Sequence, residues 1–149
     1  MNTVTAESVC TKGGKELDHV EGGANSTNHR CEAYLLNNWD VDITNVVLKH
    51  TSGDHEDTLT IGKLVKGAQS NRFQIQYVTG LFAHHDYWWI EFTASGGDNP
   101  GKWTCKTNFY CDLRSSDDGT VVQIQVSAGD RAMYVTESSG QCYVSLHHP

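Results

Sequence analysis

The sequence predicts an all-β protein, a single antiparallel β-sandwich of about nine strands with an irregular N-terminal arm. Short apolar runs alternate with a period of two, and turn clusters separate them at spacings of about 8 to 15 residues. Nothing of helical period and useful length competes. A chain of 149 residues fits one domain large enough to bury a core without staples. Its hydrophobic fraction of 38% against 19% charged residues excludes disorder across the whole chain.

Residues 1–30 read as a polar irregular arm, because the stretch GGKELDHVEGGANSTNHR carries no apolar period. Asn25-Ser26-Thr27 is a glycosylation acceptor in a secreted chain only. The sandwich domain is expected over 31–149, with strands near 31–37, 42–50, 57–65, 71–78, 86–93, 102–111, 120–127, 131–137 and 141–147. Between them lie turn formers such as Ser52-Gly53-Asp54, Lys66-Gly67, Gly96-Gly97-Asp98-Asn99-Pro100-Gly101, Asp117-Asp118-Gly119 and Ser139-Gly140, which supply the positive φ or side-chain bonding of tight reversals. Phe73, Ile75 and Tyr77 form one inward face, as do Val122, Ile124 and Val126, then Met133 and Val135, then Cys142, Val144 and Leu146. In Tyr87-Trp88-Trp89-Ile90-Glu91-Phe92, adjacent tryptophans must point to opposite faces. Trp88, in phase with Ile90 and Phe92, is expected in the core. Trp89, in phase with Tyr87 and Glu91, is expected outside it.

The formal charge of −7 and the lack of a Lys/Arg cluster exclude simple nucleic-acid binding. The same charge opposes adsorption to anionic membranes, so lipid binding has to use aromatic insertion or a zwitterionic headgroup. The first ten residues lack a basic start and an apolar core, which predicts a cytoplasmic chain or a secreted one whose signal has been removed. The five cysteines leave at least one outside intramolecular pairs. Cys10 with Cys31 is the pair expected to tie down the arm, while Cys105 and Cys111, six apart on one strand, are too distant to bond each other.

His84, His85 and Asp86 have metal-ligand side chains, and His55, Glu56 and Asp57 could complete a site by loop convergence. Neighbouring residues at a strand start rarely ligate one ion, so exposed turn histidines are the preferred reading and no metal or cofactor is expected. His147 and His148 read as a frayed tail. Asp117-Asp118-Gly119 and Gly97-Asp98-Asn99 lack the spaced oxygens of a calcium loop. No GxSxG occurs, Cys142 faces the core, and the acidic residues fall mainly in solvated turns, so no catalytic residue is nominated. The aromatics are more telling: Trp39, Tyr87, Trp88, Trp89, Trp103, Phe109 and Tyr110 are too many rings for one small sandwich to bury.

The order VVLKHTSGD, LVKGAQSNRFQIQYVTG, HDYWWIEF, KTNFYCDL, SSDDGTVVQIQV and SSGQCYVSL resembles the PUD family over about residues 34–147. These small β-sandwich proteins are similar in fold to the aegerolysins, acidic sandwiches that recognise sphingolipid-rich membranes, some with a pore-forming partner. The resemblance implies a non-enzymatic module that binds membrane lipid or a protein partner. Two functions follow for the exposed aromatics. In the first, Trp88 or Trp89, with Tyr87 and Trp39, inserts into a lipid surface while His84 and Asp86 meet the headgroup, with Trp89 the preferred tryptophan and His85 counted among the ligand-binding residues. In the second, a lectin-like domain stacks the same tryptophan on a sugar and uses Asp98, Asn99 or Asp118 for its hydroxyls. A metal-dependent enzyme ranks third, and the oligomeric state is left open between a monomer and a homo-oligomer.

Overall fold

The computed structural model describes residues 8–10, 26–81 and 83–149. Ten strands build two packed sheets: β1 (Ser8–Cys10), β2 (Ser26–Asn38), β3 (Ile43–Ser52), β4 (His55–Leu64), β5 (Phe73–Gly80), β6 (Tyr87–Ala94), β7 (Gly101–Thr104), β8 (Val121–Ser127), β9 (Ala132–Glu137) and β10 (Gly140–Ser145). One sheet has the order β1-β10-β9-β8-β2-β5 and the other β4-β3-β6-β7. The β2–β8 pair is parallel; the other strand pairs are antiparallel. Among the described residues a single 3-10 turn, Ser115–Asp117, interrupts the strands.

The sheet starts before the expected boundary at residue 31. β2 already begins at Ser26 and pairs with Gly80, and Ser8–Cys10 adds an edge strand against β10. The remainder of the expected arm lies outside the described residues.

The core is the set of inward faces that alternation selects. Ile75, Val122, Ile124, Val126, Met133, Val135 and Val144 are inaccessible, and Trp88, Ile90 and Phe92 oppose them from β6. Burying side chains of this size contributes roughly 1.5–3 kcal/mol each before entropy is subtracted. The sandwich is also stitched at its edges. The Gln76 N–H on β5 donates to Asp57 Oδ2 on β4 at 3.0 Å, linking the two sheets, and the Thr104 and His147 backbones exchange bonds of 3.0 and 2.9 Å beside β7. His148 packs its ring 3.9 Å from that of Trp103 and bonds the Lys102 carbonyl, so the C-terminal histidines form a clasp where a frayed tail was expected.

The disulfide joins Cys111 to Cys142, whose Cα atoms are 5.8 Å apart. The expected Cys10–Cys31 pairing does not form: Cys31 is a buried thiol outside any disulfide, as is Cys105. Burial, and then the charges of Asp117, Asp86, Asp118 and Asp57, push the Cys31 thiol up to about 12, so it stays protonated and inert. The strand that ends at Thr104 leaves 105–111 irregular, which turns Cys111 toward β10.

Candidate functional site

At one end of the sandwich, the β3–β4 hairpin, the segment before β6 and residues 109–113 converge. Their centre is His50, which sequence reading missed. It occupies an inward position of β3, in phase with Val46 and Leu48, and is fully buried against Trp88 with ring centroids 4.7 Å apart. His50 Nδ1 lies 3.0 Å from Asp57 Oδ2 and Nε2 lies 2.8 Å from Asp86 Oδ1. Each ring nitrogen faces a carboxylate oxygen, which can only accept, so both nitrogens donate and His50 is an imidazolium. Burial alone would lower its pKa; the hydrogen bonds to Asp57 and Asp86, with their charges, outweigh it and leave the pKa above 6.5.

The carboxylates are held in turn. Asp57 accepts from His50, from the Gln76 N–H and from His55 Nε2 at 2.7 Å. Burial opposes its ionisation, but these donors, His50 first, hold its pKa below 3.8. Asp86 Oδ2 accepts the Leu113 N–H at 2.9 Å, and the Asp86 N–H donates to Asp112 Oδ1 at 2.9 Å. Asp112 Oδ2 then meets His85 Nδ1 at 2.8 Å. A continuous polar chain therefore runs from His55 through Asp57, His50, Asp86 and Asp112 to His85.

The hairpin and the strand start do converge, as a shared site would require, yet an imidazolium supplies the positive charge between the carboxylates. Among the described residues no three His, Cys, Asp or Glu side chains are arranged to hold a metal ion. Asp86 was expected at the surface and is inaccessible, because a carboxylate that accepts from His50 and a backbone amide is satisfied inside. Asp117, read as a solvated turn residue, is likewise buried and accepts from Ser138, Ser139 and the Arg114 N–H.

Outside this core sits a ring cluster. Residues 109–111 run beside the start of β6: Tyr87 and Tyr110 form an isolated bridge, the Trp88 N–H donates to the Phe109 carbonyl and the Cys111 N–H to the Asp86 carbonyl. The Cys111–Cys142 bond anchors this segment. His85 stacks on Tyr110 at 4.0 Å between ring centroids, and Tyr87 lies edge-on to both at 6.1 and 6.2 Å. Tyr110 is 38% exposed and Leu81, in the loop before β6, 56%. His84, Tyr87, Thr51, Gly53 and Asp54 border an open cleft of about 630 Å³ beside these rings. Gly53 has a φ of 61°, which favours glycine, and a Cβ there would stand 2.8 Å from the exposed His84 ring, which would have to shift.

The predicted aromatic set is thus sorted by the fold. His84 is exposed, and His85 and Tyr87 are half-buried. Trp88 is in the core as expected, its Nε1 donating to the Cys111 carbonyl at 3.0 Å. Trp89 is only half-buried, under Lys49, whose Nζ is 5.6 Å from the ring centroid. Trp39 was expected at a binding surface and is 1% exposed, because its Nε1 donates to the Asn99 carbonyl and its ring packs on Phe92 and Trp103. The Asn99 backbone carbonyl accepts from both tryptophans, and its side-chain oxygen from Arg131 Nε at 3.0 Å. Tyr110 joins the cluster although no site role was assigned to it from sequence.

No family model matches the chain, and no curated protein is significantly similar to it.

Proposed function

We propose that the chain is a non-enzymatic, aegerolysin-like binding module that docks on a membrane bearing zwitterionic headgroups through Tyr87, His85 and Tyr110. The observation that carries this reading is the packed group of three rings at the border of an open cleft, with centroids 4.0 to 6.2 Å apart. Tyrosines suit the membrane interface, where the ring body is apolar and the hydroxyl wet. Their faces attract a choline or ethanolamine cation. Leu81 offers an apolar contact from the neighbouring loop, and Asp54 adds negative charge at the cleft. The chain's net charge of −7 disfavours anionic bilayers, which makes the headgroup preference specific.

Sedimentation with vesicles tests this. Phosphatidylcholine–sphingomyelin vesicles are expected to carry the protein down and phosphatidylglycerol vesicles to leave it in solution. Tyr110→Ala is expected to lose at least tenfold in binding while remaining folded. Equal binding to both vesicle types, or full binding by the folded variant, overturns the proposal.

A further inference from the structure

A second cleft, of about 490 Å³, lies over the paired strands β2 and β5 and the tip of the β3–β4 hairpin. The membrane reading does not use it. We propose that it is a carbohydrate site, taking a monosaccharide-sized portion of a glycan through vicinal hydroxyl groups.

The register explains how the cleft is assembled. Arg30 on β2 is directly opposite Gln76 on β5, and Ser52 on β3 is directly opposite His55 on β4. Cross-strand partners share a face, with Cβ atoms about 4.5–5.5 Å apart. Asn28 and Asp118 complete the polar lining. Behind it, His29 stacks on Tyr77 at 5.0 Å and bonds Thr79 Oγ1, which gives the cleft a rigid floor.

The state of each group decides the ligand class. Among the described residues the Arg30 guanidinium, the Asn28 and Gln76 amides and the Ser52 hydroxyl have no hydrogen-bond partner, although Ser52 is only 8% exposed. His55 is committed to Asp57 through Nε2, which leaves Nδ1 as an acceptor when the ring is neutral. Asp118 takes the Arg30 N–H at 3.0 Å on Oδ1, has His29 Nδ1 3.7 Å from Oδ2, and keeps its side chain 54% exposed. The lining thus holds donors and acceptors side by side. An oxyanion would satisfy the donors but face the Asp118 carboxylate. An apolar ligand would leave nearly every lining group unsatisfied, since Val78 is the one aliphatic side chain there. A hydroxyl both donates and accepts, and two on adjacent carbons match this mixture. The volume falls within the roughly 300–1,000 Å³ of small-molecule sites.

The buried chain adds a reason for the site's stiffness. Asp57, buttressed by His50 and Gln76, fixes which nitrogen of His55 faces inward. A ring anchored in this way presents one atom at a set position.

The test is a printed glycan array probed with the whole chain, followed by titration of the best free saccharide by saturation-transfer NMR. We expect a saturable ligand whose binding falls at least tenfold in Gln76→Ala and in Asp118→Ala and changes less than twofold in Tyr110→Ala. Sodium sulfate is expected not to compete. Circular dichroism melts accompany each variant, and Gln76→Ala, whose side chain has no partner among the described residues, decides the matter if Asp118→Ala is destabilised. Absence of saturable glycan binding, indifference to the Gln76 change, or competition by sulfate overturns the proposal. Loss of binding in Tyr110→Ala does so too, because the glycan would then occupy the ring cluster. Vesicle sedimentation reads the other site, so either proposal can fail alone.

Discussion

His50 and His85 stand at two points of one hydrogen-bonded chain, yet their surroundings give them different work. His50 is inaccessible and bonded to two carboxylates, whereas His85 has one carboxylate partner and a side chain 41% exposed. The same imidazole–carboxylate pairing is architecture in the first place and an available surface in the second. Water decides the difference. His50 has no water to replace a lost partner, while His85 reaches solvent even though its partner Asp112 is buried.

The strongest way to break this comparison is to remove each imidazole. His50→Ala strands Asp57 and Asp86 without their shared cation and is expected to cost about 3–5 kcal/mol. His85→Ala takes one partner from the buried Asp112, which keeps the Asp86 N–H, and is expected to cost less, about 1–3 kcal/mol. Urea unfolding of both variants checks this, and similar losses would mean that burial does not separate the two sites.

Opening the Cys111–Cys142 bond tests the anchoring of the outer cluster. The enclosed span of 31 residues predicts a loss of about 3–4 kcal/mol by chain entropy. Near-ultraviolet circular dichroism should change at the tyrosine band, because Tyr110 adjoins Cys111 and its ring is held by that segment. An unaltered tyrosine band after reduction would show that stacking alone holds the rings.

The pH dependence sharpens the comparison further. The raised pKa of His50 contributes stability that is complete below about 6.5 and is lost as the pH rises through its folded value. The lowered pKa of Asp57 contributes stability present above 3.8 and lost as the pH falls through its folded value. Stability should therefore fall between pH 6.5 and 9 in the native chain, and His50→Ala should flatten that limb. Above pH 9 the Cys31 thiol, raised to about 12, adds a loss of its own, so measurements stop there. An unchanged limb in the variant would assign the slope to other groups.

The last comparison sets Trp89→Ala against Trp88→Ala. The Trp89 ring is half-buried beneath Lys49, so its loss should cost well under the roughly 3–5 kcal/mol of a fully buried Trp such as Trp88. Thermal melts of the two single variants rank them directly.

Alternation made the strands and the core legible. Ile75, Val122, Ile124 and Val144 were assigned inward because a period of two leaves no other choice, and Trp88 was separated from Trp89 by the same rule. What escaped was long-range. Cys111 finds Cys142 through the stacking of distant segments, and three residues of β1 carry no readable pattern before β10 pairs with them. His50 was legible in principle: an ionisable residue in phase with Val46 and Leu48 faces inward and must have partners. Asp86 and Asp117 were misplaced because their residue type suggests solvent, and only the assembled fold brings the donors that satisfy them. Tyr110 could not be linked to His85 without the disulfide-held segment between them.

The strand order also fixes a timetable for synthesis. The four-stranded sheet uses β3, β4, β6 and β7, all within residues 43–104, so its pairings become available as that stretch leaves the ribosome. The six-stranded sheet cannot close then. β2 needs β8 at Val121–Ser127 for its parallel neighbour, and β1 needs β10 at Gly140–Ser145. Parallel pairing across nearly ninety residues carries a large loop-closure cost and is intrinsically slow. During that interval the inward face of β2, with Ala33 and Leu35, has no completed sheet around it. β2 thus waits on β8 and β1 on β10, and chaperone demand should last until those strands have emerged, while apolar strand edges are long and still unpaired.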